Sequence, residues 1–170
     1  AGPMDYTPGA MLCAQPDCFS SRRPNSASIG TRAFQMALYV VFESNLQMLA
    51  DNPTLYNMYP DCRDYIASCP VNWDETRVLA AEFGEYTIVA RRSGNKWYIG
   101  GITNETARDI DVKLDFLAEG ISYNATSFTD GINSSVQAMD YRKESTRLSR
   151  NSTIRIHMVR NGGYAAVLEP

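Results

Sequence analysis

The run Met36-Ala37-Leu38-Tyr39-Val40-Val41-Phe42 most narrows what this chain can become. Seven apolar residues in succession fill nearly two helical turns with no wet side, and a helix that is apolar all round must be covered from several directions. Read outward from that run, one helix is expected over 28–51. Ser28 would be its N-cap and Asp51-Asn52-Pro53 its stop, because proline disfavours helical geometry in the residue before it. Arg32, Gln35, Glu43 and Gln47 fall near one line of that helix and form a thin polar seam. A membrane span needs about 18 apolar residues, and Glu43, Asn45 and Gln47 interrupt the run at once.

Residues 1–27 are broken by Gly2, Pro3, Pro8, Gly9, Pro16 and Pro24, yet Met4, Tyr6, Met11, Leu12 and Phe19 require burial, as in an active-site-type loop detached from its scaffold. Residues 54–72 read as short helical or irregular pieces, with Tyr56, Met58, Tyr59, Tyr65 and Ile66 packed beneath and a boundary at Pro70. From Trp73 onward the period changes to two. Ile110, Val112, Leu114 and Phe116 alternate with Asp109, Asp111, Lys113 and Asp115, and Ile154, Ile156 and Met158 with Arg155, His157 and Val159. A hairpin joins Tyr86–Arg91 to Trp97–Ile99 through Ser93-Gly94-Asn95, and Asn161-Gly162-Gly163 turns into a closing strand, Tyr164–Leu168. With strands near 77–82 and 121–128, seven or so short strands suggest an antiparallel β-sandwich.

The chemistry of single residues is sparse. His157 is the only histidine and has no Ser or Cys motif beside it, so a structural role is expected. Cys13 and Cys18, then Cys62 and Cys69, match no zinc spacing. Disulfides in an oxidising compartment are expected over free buried thiols, with a connectivity the sequence does not fix. Sequons at Asn104, Asn124, Asn133 and Asn151 mark exposed turns. Asp5 lies in a Gly/Pro-rich turn that suits a binding loop and equally suits an acid capping its own turn, while Glu43 reads as a buried ion pair or a cap. Trp97 and Tyr98 point to opposite faces of their strand, so core packing outweighs sugar stacking. Sixteen basic against nineteen acidic residues, with no basic run longer than two, argue against nucleic acid as a partner. The opening Ala-Gly-Pro-Met-Asp-Tyr has neither a basic nor an apolar leader region, so a signal peptide was removed, lies further upstream or never existed.

Several segments in order resemble glycoside hydrolase family 97: Gly2-Pro-Met-Asp-Tyr-Thr-Pro-Gly9, the helix ending Val-Phe-Glu43-Ser-Asn-Leu-Gln-Met-Leu-Ala-Asp51, Trp73-Asp-Glu-Thr76, Gly84-Glu-Tyr86, Ala90-Arg91, Trp97-Tyr-Ile-Gly100 and the terminal Gly162-Gly163. The resemblance covers almost the whole chain. It implies an α+β fragment: residues 1–70 as the last strand, loop and helix of a catalytic (β/α)8 barrel, and residues 71–170 as a C-terminal antiparallel β-sandwich that braces it. The implied function is that of an α-glucosidase or α-galactosidase acting on oligosaccharides. Asp5 and Tyr6 would line the sugar pocket, since a barrel enzyme's working groups lie at the C-terminal ends of its strands. No residue here matches the family motif that carries the general acid and the calcium-binding glutamates. No catalytic or metal-ligating residue is therefore assigned to this chain, calcium would belong to the full-length enzyme, and the isolated chain is expected to be inactive. The resemblance and the cysteines point to a bacterial periplasm or the cell exterior. A helix wedged between barrel and sandwich would leave an apolar patch around Met36, Tyr39 and Phe42 when the rest of the barrel is missing. The competing reading is a stand-alone carbohydrate-binding or interaction module.

Overall fold

The computed structural model describes residue 3, residues 5–21 and residues 27–170; expectations drawn on Gly2, Met4, Arg22-Arg23 and Pro24 lie outside them. Two short strands, β1 (Cys13–Ala14) and β2 (Ser28–Ile29), pair in parallel and lead into α1 (Arg32–Val41). This helix is much shorter than 28–51, for reasons visible at each end. Ser28 and Ile29 are held in β2 and Gly30 sits at φ +101°, so the helix starts after Thr31, whose hydroxyl accepts the Phe34 N–H at 3.1 Å. At the other end, the Ser44 hydroxyl donates to Leu46 O at 2.8 Å and accepts the Leu46 N–H at 3.1 Å. That local loop takes the place of further helical bonds. The Arg91 guanidinium meets the last helical carbonyl, Val41 O, at 3.3 Å.

Two further helices follow, α2 (Pro53–Met58) and α3 (Pro60–Ser68), each with proline in its first turn, where the missing N–H costs no helical bond. Met58 is exposed, contrary to its expected place in the core, whereas Tyr56, Tyr65 and Ile66 are buried. The eight strands beyond residue 74 are β3 (Glu75–Glu82), β4 (Tyr86–Ser93), β5 (Lys96–Thr103), β6 (Arg108–Lys113), β7 (Tyr123–Asp130), β8 (Tyr141–Leu148), β9 (Thr153–Met158) and β10 (Gly163–Glu169). Six form one antiparallel sheet in the order β3-β4-β5-β10-β7-β8, and β6 and β9 form a separate pair.

The six-stranded sheet is covered on both faces. On one, Ile88, Ala90, Trp97, Ile99, Tyr123 and Ala166 pack against Val112, Ile156 and Met158 of the β6–β9 pair. On the other, Val89, Tyr98, Phe128 and Ala165 pack against Met36, Tyr39 and Val40 of α1, Tyr56 of α2, Tyr65 and Ile66 of α3, and Met11. Trp97 and Tyr98 thus enter opposite cores. The second core crosses residue 70, with side chains from both sides of it. Glycines set how close α1 comes: a Cβ on Gly100 would lie 2.8 Å from Val40 Cβ, and one on Gly163 would lie 2.4 Å from Phe34 Cα.

Two expectations about α1 fail together. Met36 and Tyr39 are 0% and 1% exposed, so the helix presents no bare patch; the sheet covers one side, and the lead-in residues with α2 and α3 cover the other. The polar seam is not wet either, since Arg32 and Gln35 are buried and Glu43 and Gln47 lie past the helix end, Glu43 exposed. The cysteines are free: Cys13, Cys62 and Cys69 are buried and Cys18 is exposed, so no disulfide bridges the local pairs.

Candidate functional site

Irregular backbone that runs through a core must find partners for its polar groups. Residues 8–12 do so with side chains, one carbonyl after another. Pro8 O accepts from the Tyr39 hydroxyl at 3.1 Å and from the Ala50 N–H at 3.0 Å, and Gly9 O from the Tyr56 hydroxyl at 3.0 Å. Ala10 O faces the Cys13 thiol at 3.0 Å, and Met11 O accepts from Arg32 Nη2 at 2.7 Å. On the amide side, the Met11 and Leu12 N–H groups both donate to Asp51 Oδ2, at 2.5 and 3.1 Å. Residue 11 therefore sits between a guanidinium and a carboxylate, each bonded to its backbone. Such charge-assisted bonds are the stronger class.

Arg32 is 2% exposed and makes no ion pair among the described residues. Its guanidinium instead lies 3.8 Å from the Tyr59 ring centroid and 5.2 Å from that of Tyr141. Two aromatic faces and one carbonyl hold a charge that would be costly to bury bare. Burial pushes the Tyr6 hydroxyl up to about 12 and the Tyr39 and Tyr56 hydroxyls above their ordinary range, so all three remain protonated donors at neutral pH. Burial also pushes the Cys13 thiol up to about 12 and Cys62 up to about 11, which makes them poor nucleophiles.

Of the two residues singled out from sequence, Asp5 is exposed at the approach to this clamp. Tyr6 is half-buried: its hydroxyl donates to Leu38 O at 3.0 Å, its ring meets Phe42 edge-on at 5.3 Å, and its backbone bridges in parallel to Gln47. Tyr6 thus anchors the segment from which Asp5 projects. Beside the clamp lies a mainly apolar cavity of about 410 Å³, lined by Tyr39, Gln47, Leu49, Pro53, Tyr56 and Ile66. The sequence did not reveal Arg32, Asp51, Tyr39 or Tyr56 as partners of the loop. An arginine opening an otherwise apolar helix was the one available sign. His157, 3.0 Å from Asp109 Oδ1 on an exposed strand face, joins no catalytic arrangement among the described residues. No group of three or more His, Cys, Asp or Glu among the described residues could hold a metal ion, so the calcium implied by the resemblance finds no fitting donor set here.

A sheet sandwich carrying one apolar helix and a clamped lead-in is a fold shared with the C-terminal parts of glycoside hydrolases. A glycoside hydrolase family 97 enzyme from Pseudoalteromonas sp. strain K8, solved in complex with panose, superposes with a TM-score of 0.88 at 33% identity, over 99% of this chain and 26% of that one. A β-arabinopyranosidase at 20% identity and a TM-score of 0.74 shares the fold, over 97% of this chain and 25% of that one. The family description "Glycosyl-hydrolase 97 C-terminal, oligomerisation" matches residues 72–169. The chain belongs to glycoside hydrolase family 97. It is 44% identical to the retaining alpha-galactosidase of Bacteroides thetaiotaomicron, over 97% of this chain and 25% of that enzyme. The chain thus spans about a quarter of the length of the curated relatives it matches.

Proposed function

We propose that this chain is the C-terminal part of an α-glycosidase that hydrolyses α-galactosidic or α-glucosidic bonds of oligosaccharides. The observation that carries the reading is the 44% identity to a retaining alpha-galactosidase, sustained over 97% of the chain. Residues 1–70 are read as the closing strand, loop and helix of a (β/α)8 barrel. The short parallel pairings of Tyr6 with Gln47 and of β1 with β2 support this, since parallel pairing occurs nowhere else among the described strands. Residues 71–170 are the sandwich that braces the barrel. The two carboxyl groups that glycoside hydrolysis requires, about 5 Å apart for retention, are placed in the rest of the enzyme, as is its calcium. Asp5 is read as a sugar-pocket residue and Tyr6 as its anchor. The family description also names oligomerisation, and we carry self-association over to this chain. A periplasmic or extracellular bacterial setting completes the reading.

The experiment is a pair of assays with nitrophenyl α-galactoside and α-glucoside. The full-length enzyme should turn over at least one of them, with KM raised severalfold by Asp5→Ala. The 170-residue chain alone should turn over neither. Turnover by the isolated chain, insensitive to chelator, would remove the assignment of the chemistry to the rest of the enzyme.

A further inference from the structure

The two edges of the six-stranded sheet differ in how they are guarded. Unpaired strand edges invite pairing with another chain, and proteins blunt them with charge. At one edge, β8 reads Tyr-Arg-Lys-Glu-Ser-Thr-Arg-Leu, with Arg142, Lys143 and Arg147 all exposed. At the other edge, β3 carries a lone cation, Arg77, and an exposed Val78, and its hairpin ends in a fully exposed Phe83. Phe83 borders a groove of about 580 Å³ also lined by Phe34, Tyr86 and Ile102.

The register of β3 has a property that bears on a partner. Arg77 lies opposite Ala90 and Glu82 opposite Tyr86, and both of those β4 residues belong to the core facing β6–β9. Five positions apart on a regular strand, Arg77 and Glu82 would point to opposite faces; the irregularity between Val78 and Ala80 brings them onto one face. Arg77 bonds Glu75 on its own strand at 2.6 Å, and Glu82 forms no ion pair among the described residues. In a two-fold interface, each contact occurs twice with the roles exchanged.

Building on the self-association just proposed, we propose that β3 is the interface, with a second copy of this chain as its occupant. Two β3 strands lie antiparallel, Arg77 of each facing Glu82 of the other. Leu79 and Ala80 then flank the axis, Val78 faces Ala81 on the opposite face, and Phe83 is carried over Thr76 of the second copy. The result is a sheet continuous across both copies with two equal ion pairs. β8 carries three cations to one anion, so two copies of it brought together would repel on balance.

The test is sedimentation equilibrium on the full chain, using Arg77→Glu, Glu82→Arg, the double exchange and Phe83→Ser. All three positions are exposed, so the fold tolerates the changes. Either single reversal puts two like-charged pairs across the interface and should weaken the dimer about tenfold, while the double exchange should restore it. Phe83→Ser should weaken it as well. A dimer indifferent to both reversals overturns the β3 interface and leaves self-association standing. A wild-type chain that stays monomeric overturns both.

Discussion

Asp130 shows how one side chain can make stability depend on pH. Its carboxylate receives the Val159 and Gly163 N–H groups at 2.9 and 3.1 Å and ties the end of β7 to the turn before β10. Burial raises its pKa to about 6, against the opposing pull of those bonds. A raised folded-state value means that the native protein holds its proton more tightly than the unfolded chain. The contribution is complete in acid, below the ordinary carboxylate range, and is lost as pH rises through about 6. Asp130→Asn should therefore match the wild type near pH 4 and exceed it by up to ~3 kcal/mol above pH 7, as read by urea unfolding across that range. Arg32→Met should go the other way at all pH values. It keeps the bulk but leaves Met11 O without its donor, at a cost of about 1–3 kcal/mol. Amide exchange at Met11 and Leu12 should quicken, while that of Val89 to Tyr98 should not. None of these partnerships was visible in the sequence, because each joins residues at least 21 positions apart. Tyr6 was found only by resemblance, which placed it at the sugar; its hydroxyl is bonded to the helix backbone.

Strands with one dry face announce themselves, and β6 and β9 were legible from their alternation, whereas β4, β5 and β10, buried on both faces, were placed by the turns Ser93-Gly94-Asn95 and Asn161-Gly162-Gly163 beside them. β8 was not, because an edge strand with charge on both faces has no apolar period to detect. The apolar run located α1, yet its ends were misjudged. Its N-terminus depends on Gly30 and the pairing of Ser28 with Cys13, and its C-terminus on a two-residue hydroxyl loop, none of which hydrophobicity reports. How closely α1 approaches the sheet also turns on glycines whose role is spatial. Gly163→Ala would drive a methyl to 2.4 Å from Phe34 Cα, a backbone atom that no rotamer change can move aside, and should cost about 1–3 kcal/mol or more. Gly120→Ala, at φ +74° with nothing within 4 Å, should cost about 1 kcal/mol from local strain alone. Thermal melts of the two variants would show the difference, and equal losses would mean that α1 can move away from the sheet freely.

At the scale of the whole molecule, apolar surface left in contact with water is concentrated away from α1. Leu46, Leu49, Met58 and Val71 are each more than a third exposed, on the loop and helices that themselves cover α1. The sequence pointed to α1 itself, whereas the exposed apolar residues lie on the segments that cover it, because the lead-in segment, α2 and α3 roof the helix. Alanine at Leu46, Leu49 and Met58 together should reduce concentration-dependent aggregation of the isolated chain in light scattering without lowering its melting temperature. The core shared across residue 70 also limits how this domain can be moved. A chimera joined at residue 71 would lift the sheet off its helices and wet Val89, Tyr98, Phe128 and Ala165 at once. One joined ahead of Pro8 would carry its own lining. The unit that can be transplanted is longer than the sandwich, because most of one of its two cores comes from residues before 71.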